Sequence, residues 1–193
     1  MKTPVFMSWM RMAQNSRLIS KDLDRNVDDV QWSADSTGLV IQYDDGGESM
    51  IAHMDLSGRL RTLAANTGGT SIGRPYAGGS FSVAGNSVIA YNQASVHRPA
   101  ELAVIDKRGK QCILTRLNDD LLARKTLGKV EEIHIASGFD GRDIEGWIVY
   151  TPGYGANKKW PTILEIHGGS VANYDPRFSA EVQLYAAGGY VVL

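Results

Sequence analysis

The chain has 193 residues, 20 basic against 21 acidic, a formal net charge of −1 and 43% hydrophobic composition. This is ordinary globular material, long enough for one domain or parts of two, and its balanced charge excludes a basic nucleic-acid stripe or a like-charged tail. No run approaches the roughly 20 apolar residues that span a bilayer, and Met1 to Met12 has no n-region and h-region of a signal peptide, so neither nucleic acid nor membrane is expected as a partner.

From Met1 to about Thr115 the pattern is short strands punctuated by Gly, Asn and Asp. Expected strands are Leu39–Tyr43, Met50–Met54 and Arg59–Leu63, then Ser80–Ala84, Val88–Tyr91, Leu102–Ile105 and Gln111–Leu114. Arg17 to Val30 reads as an outer strand leading into Trp32. Asp55-Leu56-Ser57-Gly58 and Asp106-Lys107-Arg108-Gly109 are equivalent tight turns 51 residues apart, and Leu63 matches Leu114 at the same offset. A period near 50 with four short strands per unit is the pattern of β-propeller blades, whose sheets bury their faces only against neighbouring blades. Two blades cannot close a ring.

Arg116 to Lys129 is a polar connection with a short helical run, Asp119–Arg124. Val130–Ala136 and Asp143–Tyr150 both alternate, and the turn cluster Ser137 to Arg142 between them makes an antiparallel hairpin. Gly153–Lys159 is a solvated loop. Trp160 to Leu193 then reads as strand, loop, helix, strand. Thr162-Ile163-Leu164-Glu165-Ile166 is a β-branched apolar run that breaks at Gly168-Gly169. Phe178, Val182 and Tyr185 fall at helical spacing, Gly188-Gly189 supply a stop, and Tyr190 to Leu193 begin a second buried strand. A glycine pair at the carboxyl end of a strand leaves backbone N–H groups uncovered by side chains, so the His167-Gly168-Gly169 loop is a candidate oxyanion hole.

As a spaced set, Asp140-Gly141, Ile144-Glu145-Gly146-Trp147, Pro152, Trp160-Pro161, Ile163 to Gly169, Tyr174, Phe178, Glu181, Gln183 and Gly189 to Leu193 resemble the opening of the catalytic domain in the prolyl oligopeptidase family of serine peptidases. The match is closest to the acylaminoacyl-peptidase and dipeptidyl-peptidase-like branch. Trp32-Ser33-Ala34-Asp35-Ser36 resembles that family's blade motif, with Ala34 where proline is usual. The resemblance implies the C-terminal blades of a β-propeller over residues 1–125, joined to the N-terminal part of an α/β-hydrolase domain over residues 126–193. It implies a peptidase acting on short peptides, with no cofactor, and leaves the compartment open between cytoplasm and periplasm. It also implies that the Gly169 N–H binds the oxyanion of a tetrahedral intermediate. Sister branches carry a tyrosine at the position of His167 and donate from its hydroxyl; the plainer expectation is that His167 packs at the strand end, hydrogen-bonded to backbone. Ser170 stands where the branch usually has proline, which removes a constraint on φ.

On this scaffold the serine, acid and histidine of a triad follow the next strand in that order, so all three are expected beyond Leu193. The chain as written would then be a catalytically inactive truncated product, or a propeller binding module without a triad, and would expose sheet edges and half a core. One literal Gly-x-Ser-x-Gly match, Gly69-Thr70-Ser71-Ile72-Gly73, is expected to be a propeller loop, because an elbow needs a buried strand before it and a helix after it. Cys112 lies in the apolar alternation Cys112, Ile113, Leu114 and is expected as a buried structural thiol. His53, His97 and His134 lack metal-ligand spacing, and Asp44-Asp45, Asp119-Asp120 and Glu131-Glu132 are expected to be solvated. Glu165, in the middle of an apolar strand, requires a partner that the sequence does not name.

Overall fold

The computed structural model describes Met7, Ser8 and residues 16–69, 71–169 and 172–193. Sheet dominates. Strands β1 (Met7–Ser8) and β2 (Arg17–Leu18) pair as a short ribbon. An eight-stranded sheet follows, made of two antiparallel meanders. The first is β3 (Val27–Trp32), β4 (Gly38–Asp45), β5 (Glu48–Asp55) and β6 (Leu60–Thr67). The second is β7 (Phe81–Val83), β8 (Ile89–Ser95), β9 (Arg98–Ile105) and β10 (Gln111–Ile113). They are joined through the single pair Thr67↔Gln93.

The repeat read from the sequence has a geometric counterpart. At the β5–β6 turn the Asp55 carboxylate accepts the N–H groups of Ser57 and Arg59 at 2.8 and 3.0 Å, and Gly58 has φ +93°. At the β9–β10 turn the Asp106 carboxylate accepts those of Arg108 and Lys110 at 2.8 and 2.9 Å, and Gly109 has φ +81°. Each turn needs an acceptor at its first residue and a left-handed fourth residue, which is why Asp and Gly recur 51 positions apart.

The meanders pack through a shared apolar core of Val40, Ile51, Ala64, Phe81, Ile89, Tyr91, Ala103 and Ile105. The Gln31 side chain closes the gap between them like a strand, donating to the Phe81 carbonyl and accepting the Val83 N–H, both at 2.9 Å. A second core, with Ile19, Leu39, Ile41, Tyr43, Ala52 and Met54, covers the other face of the first meander. Cys112 corrects the expectation drawn for it: it is exposed. Its strand β10 is a three-residue edge that pairs only with β9, and Ile113 beside it is exposed too, so the apolar stretch has no covering layer.

After a short helix α1 (Asp119–Leu122), strands β11 (Val130–Ala136) and β12 (Asp143–Val149) form the expected hairpin in unbroken register. They continue into a four-stranded sheet with β13 (Thr162–Ile163) and β14 (Val191–Val192), in the order β11-β12-β14-β13. Strand β13 is shorter than the apolar run suggested, yet its parallel pairing with β14 extends outward: Glu165 donates to the Leu193 carbonyl at 2.7 Å, and Val191 donates to Pro161 at 2.9 Å. Between them lies α2 (Ala180–Ala187), capped by Ser179, whose hydroxyl accepts the Val182 N–H at 3.1 Å. The expected glycine stop is a Schellman motif: Gly189 has φ +94° and donates to Ala186, while Tyr190 donates to Tyr185. Val149, Ala186 and Val192 form the core here. Ile135, Ile144, Leu164 and Ile166 remain exposed around a cavity of about 460 Å³. No helix among the described residues is long and apolar enough to cross a membrane.

Candidate functional site

The seam between the eight-stranded and four-stranded sheets holds most of the chain's unusual polar chemistry. Strand β13 leads into the His167-Gly168-Gly169 loop, which is exposed. Gly169 has φ +77°, and a Cβ built on it would meet nothing within 4 Å. Among the described residues the backbone N–H groups of Gly168 and Gly169 have no partner. Two adjacent donors on exposed residues, one of them left-handed, are available to an anion. Ser170 lies outside the described residues.

The His167 ring is exposed and rests edge-on against Tyr174, centroids 5.8 Å apart. Tyr174 in turn meets Tyr76 edge-to-face at 4.9 Å, and the Tyr76 hydroxyl stands 3.6 Å from where a Cβ on Gly168 would be. Thus Tyr76, on the β6–β7 connection, forms one wall of the loop. Glu165 finds two partners: Arg74, at 3.1 Å, and the Tyr174 hydroxyl, which donates at 3.2 Å. Arg74 also donates to Glu181 at 3.0 Å, and Glu181 accepts the Tyr185 hydroxyl at 2.9 Å. Burial, with hydrogen bonds to Tyr76 and Glu165, pushes the Tyr174 phenol up to about 12. The hydrogen bond from Arg74 holds the Glu181 carboxyl below its ordinary value. The sequence pointed to this cluster through the oddness of Glu165 and through Tyr174 and Glu181 in the family resemblance. Nothing in the sequence distinguished Arg74 or Tyr76.

The Gly69–Gly73 stretch belongs to the same seam. A strand does precede it, because β6 runs on to Thr67, but no helix follows. Instead it receives α2: the Ile72 and Gly73 carbonyls accept the N–H groups of Ala180 and Glu181 at 2.8 and 3.2 Å, and the Ser179 hydroxyl donates to Gly73 at 2.7 Å. Thr70 lies outside the described residues. Below this contact Arg177 is buried at 6% exposure. It pairs with Glu48 and donates to the Ala65 and Thr67 carbonyls at 3.3 Å. Asp175 is buried at 2% exposure; one carboxyl oxygen stands 3.1 Å from the Ser49 hydroxyl oxygen and the other has no partner among the described residues. Burial is the largest cause that raises its pKa, to about 7, against the lowering field of Arg177.

The remaining sequence candidates lie away from the seam or on its rim. His134 sits on the exposed hairpin, its Nδ1 2.7 Å from Asp143 and its Nε2 2.9 Å from Glu132, which raises its pKa. Of the acid pairs, Asp45 pairs with Arg25 at the surface and Asp119 with Arg98, while Asp44 turns inward and accepts the Ser49 hydroxyl at 2.7 Å.

No family model matches the chain. It is 29% identical over 165 residues to an uncharacterized peptidase, YuxL, of Bacillus subtilis, covering 84% of this chain and 23% of that protein. It is 28% identical over 179 residues to dipeptidyl-peptidase 5 of Porphyromonas gingivalis, covering 91% of this chain and 25% of that protein. The family resemblance holds. In structure, the chain superposes on acylaminoacyl peptidase of Pyrococcus horikoshii with a TM-score of 0.75 at 22% identity, over 93% of this chain and 26% of that one. The chain therefore spans about a quarter of the length of the peptidases it matches, and its mostly-β fold is that of part of such a peptidase.

Proposed function

We propose that the protein carrying this chain is a serine peptidase that hydrolyses short peptides through an acyl-enzyme, and that this chain supplies its oxyanion loop. The observation that carries the reading is the open Gly168-Gly169 backbone at the carboxyl end of β13, with Gly169 left-handed and its N–H without a partner among the described residues. In this reading residues 1–125 are the last blades of a propeller, each four-stranded meander being one blade. Residues 126–193 open an α/β-hydrolase domain. The strand order β11-β12-β14-β13, with α2 crossing between the parallel pair, supports that division.

The chemistry follows from the donors. A serine supplied by sequence beyond Leu193 attacks the scissile carbonyl, a histidine takes its proton, and the carbonyl oxygen gains negative charge. The Gly169 N–H meets that charge, and one such donor is worth about 3–4 kcal/mol in the transition state. His167, at the start of the loop, rests edge-on against Tyr174. The exposed Ile144, Leu164 and Ile166 face is then covered by the remainder of the catalytic domain.

The test is to treat the intact protein with a serine-directed fluorophosphonate and to assay dipeptidyl and N-acylaminoacyl naphthylamides. Labelling of one serine together with hydrolysis of either substrate class is expected. Absence of both would instead assign the protein to a binding role without a working triad.

A further inference from the structure

The hydrogen bonds around Ser49 do not balance while every carboxyl at the seam is ionised. Ser49 is fully buried on β5, and its hydroxyl oxygen has polar neighbours from three other segments. The Gly78 N–H, on the β6–β7 connection, donates to it at 3.1 Å; Asp44 Oδ1, on β4, stands at 2.7 Å; Asp175 Oδ2, on the β13–α2 connection, stands at 3.1 Å. A hydroxyl has one proton to give, and an ionised carboxylate has none. The Ser49 proton therefore serves one carboxylate only. The closer oxygen, that of Asp44, takes it, and the contact with Asp175 becomes a hydrogen bond when Asp175 brings a proton of its own. The second oxygen of Asp175, Oδ1, is shut away from solvent and has no partner among the described residues. The surrounding charges do not relieve this. Asp44 and Glu48, on β4 and β5, add negative charge, while Glu145, Glu165 and His167 line the same cavity as Asp175, Glu165 already being paired with Arg74. The nearby cation, Arg177, directs its donors to Glu48 and to the carbonyls of Ala65, Thr67 and Pro176. Two carboxyls that share a site short of donors keep one proton between them.

We propose that this shared proton is a latch between the two sheets: with it the β13–α2 connection is fastened to the eight-stranded half, and its loss frees that connection. What the latch holds is a short ribbon. The Ala77 N–H donates to the Asn173 carbonyl at 3.1 Å and the Asp175 N–H to the Pro75 carbonyl at 2.7 Å, with Tyr76 and Tyr174 bridged between them. Two backbone bonds are a small structure to outlast an ionised carboxylate buried against Asp44. Tyr174 belongs to this ribbon and the His167 ring rests on it, so release of the ribbon withdraws support from one side of the 167–169 loop. The direction follows from Asp175. Burial raises its carboxyl to about 7, so the connection is fastened in mild acid, loosens as pH rises toward 7, and stays loose beyond. The latch concerns how the two sheets are joined and needs no turnover, which makes it independent of the peptidase reading.

Hydrogen–deuterium exchange of the intact protein, corrected for the intrinsic pH dependence of exchange, tests this in peptides covering residues 75–79 and 172–181. An opening that releases one proton should lower protection there about tenfold per pH unit between about pH 5 and about pH 7, and protection should then level off. The ladder between β8 and β9 should keep its protection. Asp175→Asn, which carries donors without titrating, should hold the protection of both peptides flat with pH. In Asp44→Asn the new amide donates to Ser49 and leaves the Ser49 proton for Asp175, so the levelling point should move down by about one pH unit or more. Protection in the seam peptides that does not change with pH overturns the proposal, and so does an equal loss in the β8–β9 ladder, the mark of global unfolding. A levelling point unmoved by Asp44→Asn also overturns it, because burial of Asp175 alone would then account for the fall. If Asp175→Asn does not fold, Asp44→Asn decides.

Discussion

Replacing Asp175 by asparagine should raise stability above neutral pH and change it little in mild acid. Asp175 sits at the seam with one carboxyl oxygen 3.1 Å from the Ser49 hydroxyl oxygen and the other without a partner among the described residues, and burial lifts its pKa from 3.8 to about 7 despite Arg177 nearby. The folded state therefore holds a proton that the unfolded chain releases. For a carboxyl raised on folding, stability is complete below about pH 4, falls as pH rises toward 7, and stays at the lower level beyond. Each unit of separation is worth about 1.4 kcal/mol, so the three-unit gap amounts to about 4 kcal/mol. An asparagine has no proton to lose and escapes that fall. Urea unfolding of the intact protein and of Asp175→Asn across about pH 4 to pH 9 gives the difference, in which other titrating groups cancel. The difference should climb by about 1.4 kcal/mol per unit through the middle of this range and then level off. A difference flat across the whole range would refute the idea that this carboxyl is protonated in the folded protein.

Three other outcomes follow from the same geometry. Arg177→Met leaves Glu48 and the carbonyls of Ala65, Thr67 and Pro176 without this donor and should cost about 3 kcal/mol in urea unfolding, at the low end for a broken buried pair because Glu48 is about one-third exposed; a cycle with Glu48→Gln should show coupling above about 1 kcal/mol. Gly169→Ala places a Cβ at φ +77°, where it meets no atom but strains the backbone, so kcat of the intact protein should fall about tenfold or more with KM nearly unchanged, while melting shifts by no more than about 1–2 kcal/mol. Cys112, being exposed, should react fully with a thiol reagent under native conditions without altering the circular dichroism spectrum.

What the sequence made legible is what depends on local chemistry. The Asp-x-x-Gly turns, the alternating hairpin, the Gly188-Gly189 stop and the order of strands each follow from residues close together in the chain, and each appears with nearly the expected bounds. What it concealed depends on whether a second layer arrives. Cys112-Ile113-Leu114 looks buried by hydropathy, but only β9 meets it and from the side. Asp44 and Asp45 do point to opposite faces as adjacent strand residues should; that one face would line a polar cavity required knowing that Asn173 comes to lie over it. Glu165 declared itself by polarity alone, since a carboxylate in an apolar strand needs a partner, yet Arg74 is 91 positions away in sequence and no spacing rule links them.

The seam explains why the candidate loop is placed at all. Helix α2 has eight residues, too few to hold itself in water. Its first N–H groups would be orphaned, and two of them are taken by carbonyls of Ile72 and Gly73 on the other sheet's connection. Arg177, one turn before the helix, is pinned to the backbone of β6, and Asp175 donates its N–H to the Pro75 carbonyl at 2.7 Å. The loop between β13 and α2 is thus fixed at its β13 end by Glu165 on Arg74 and at its α2 end by these backbone bonds, both ends held by the 67–75 segment. The Gly-x-Ser-x-Gly string that superficially suggests a nucleophile is, physically, the cap for the helix that follows the Gly169 loop. Donor placement in that loop is consequently set by the eight-stranded half of the chain as much as by its own strand, and the polar, titratable character of the seam follows: its bonds are backbone and side-chain donors meeting across two surfaces, where the apolar cores of each half end.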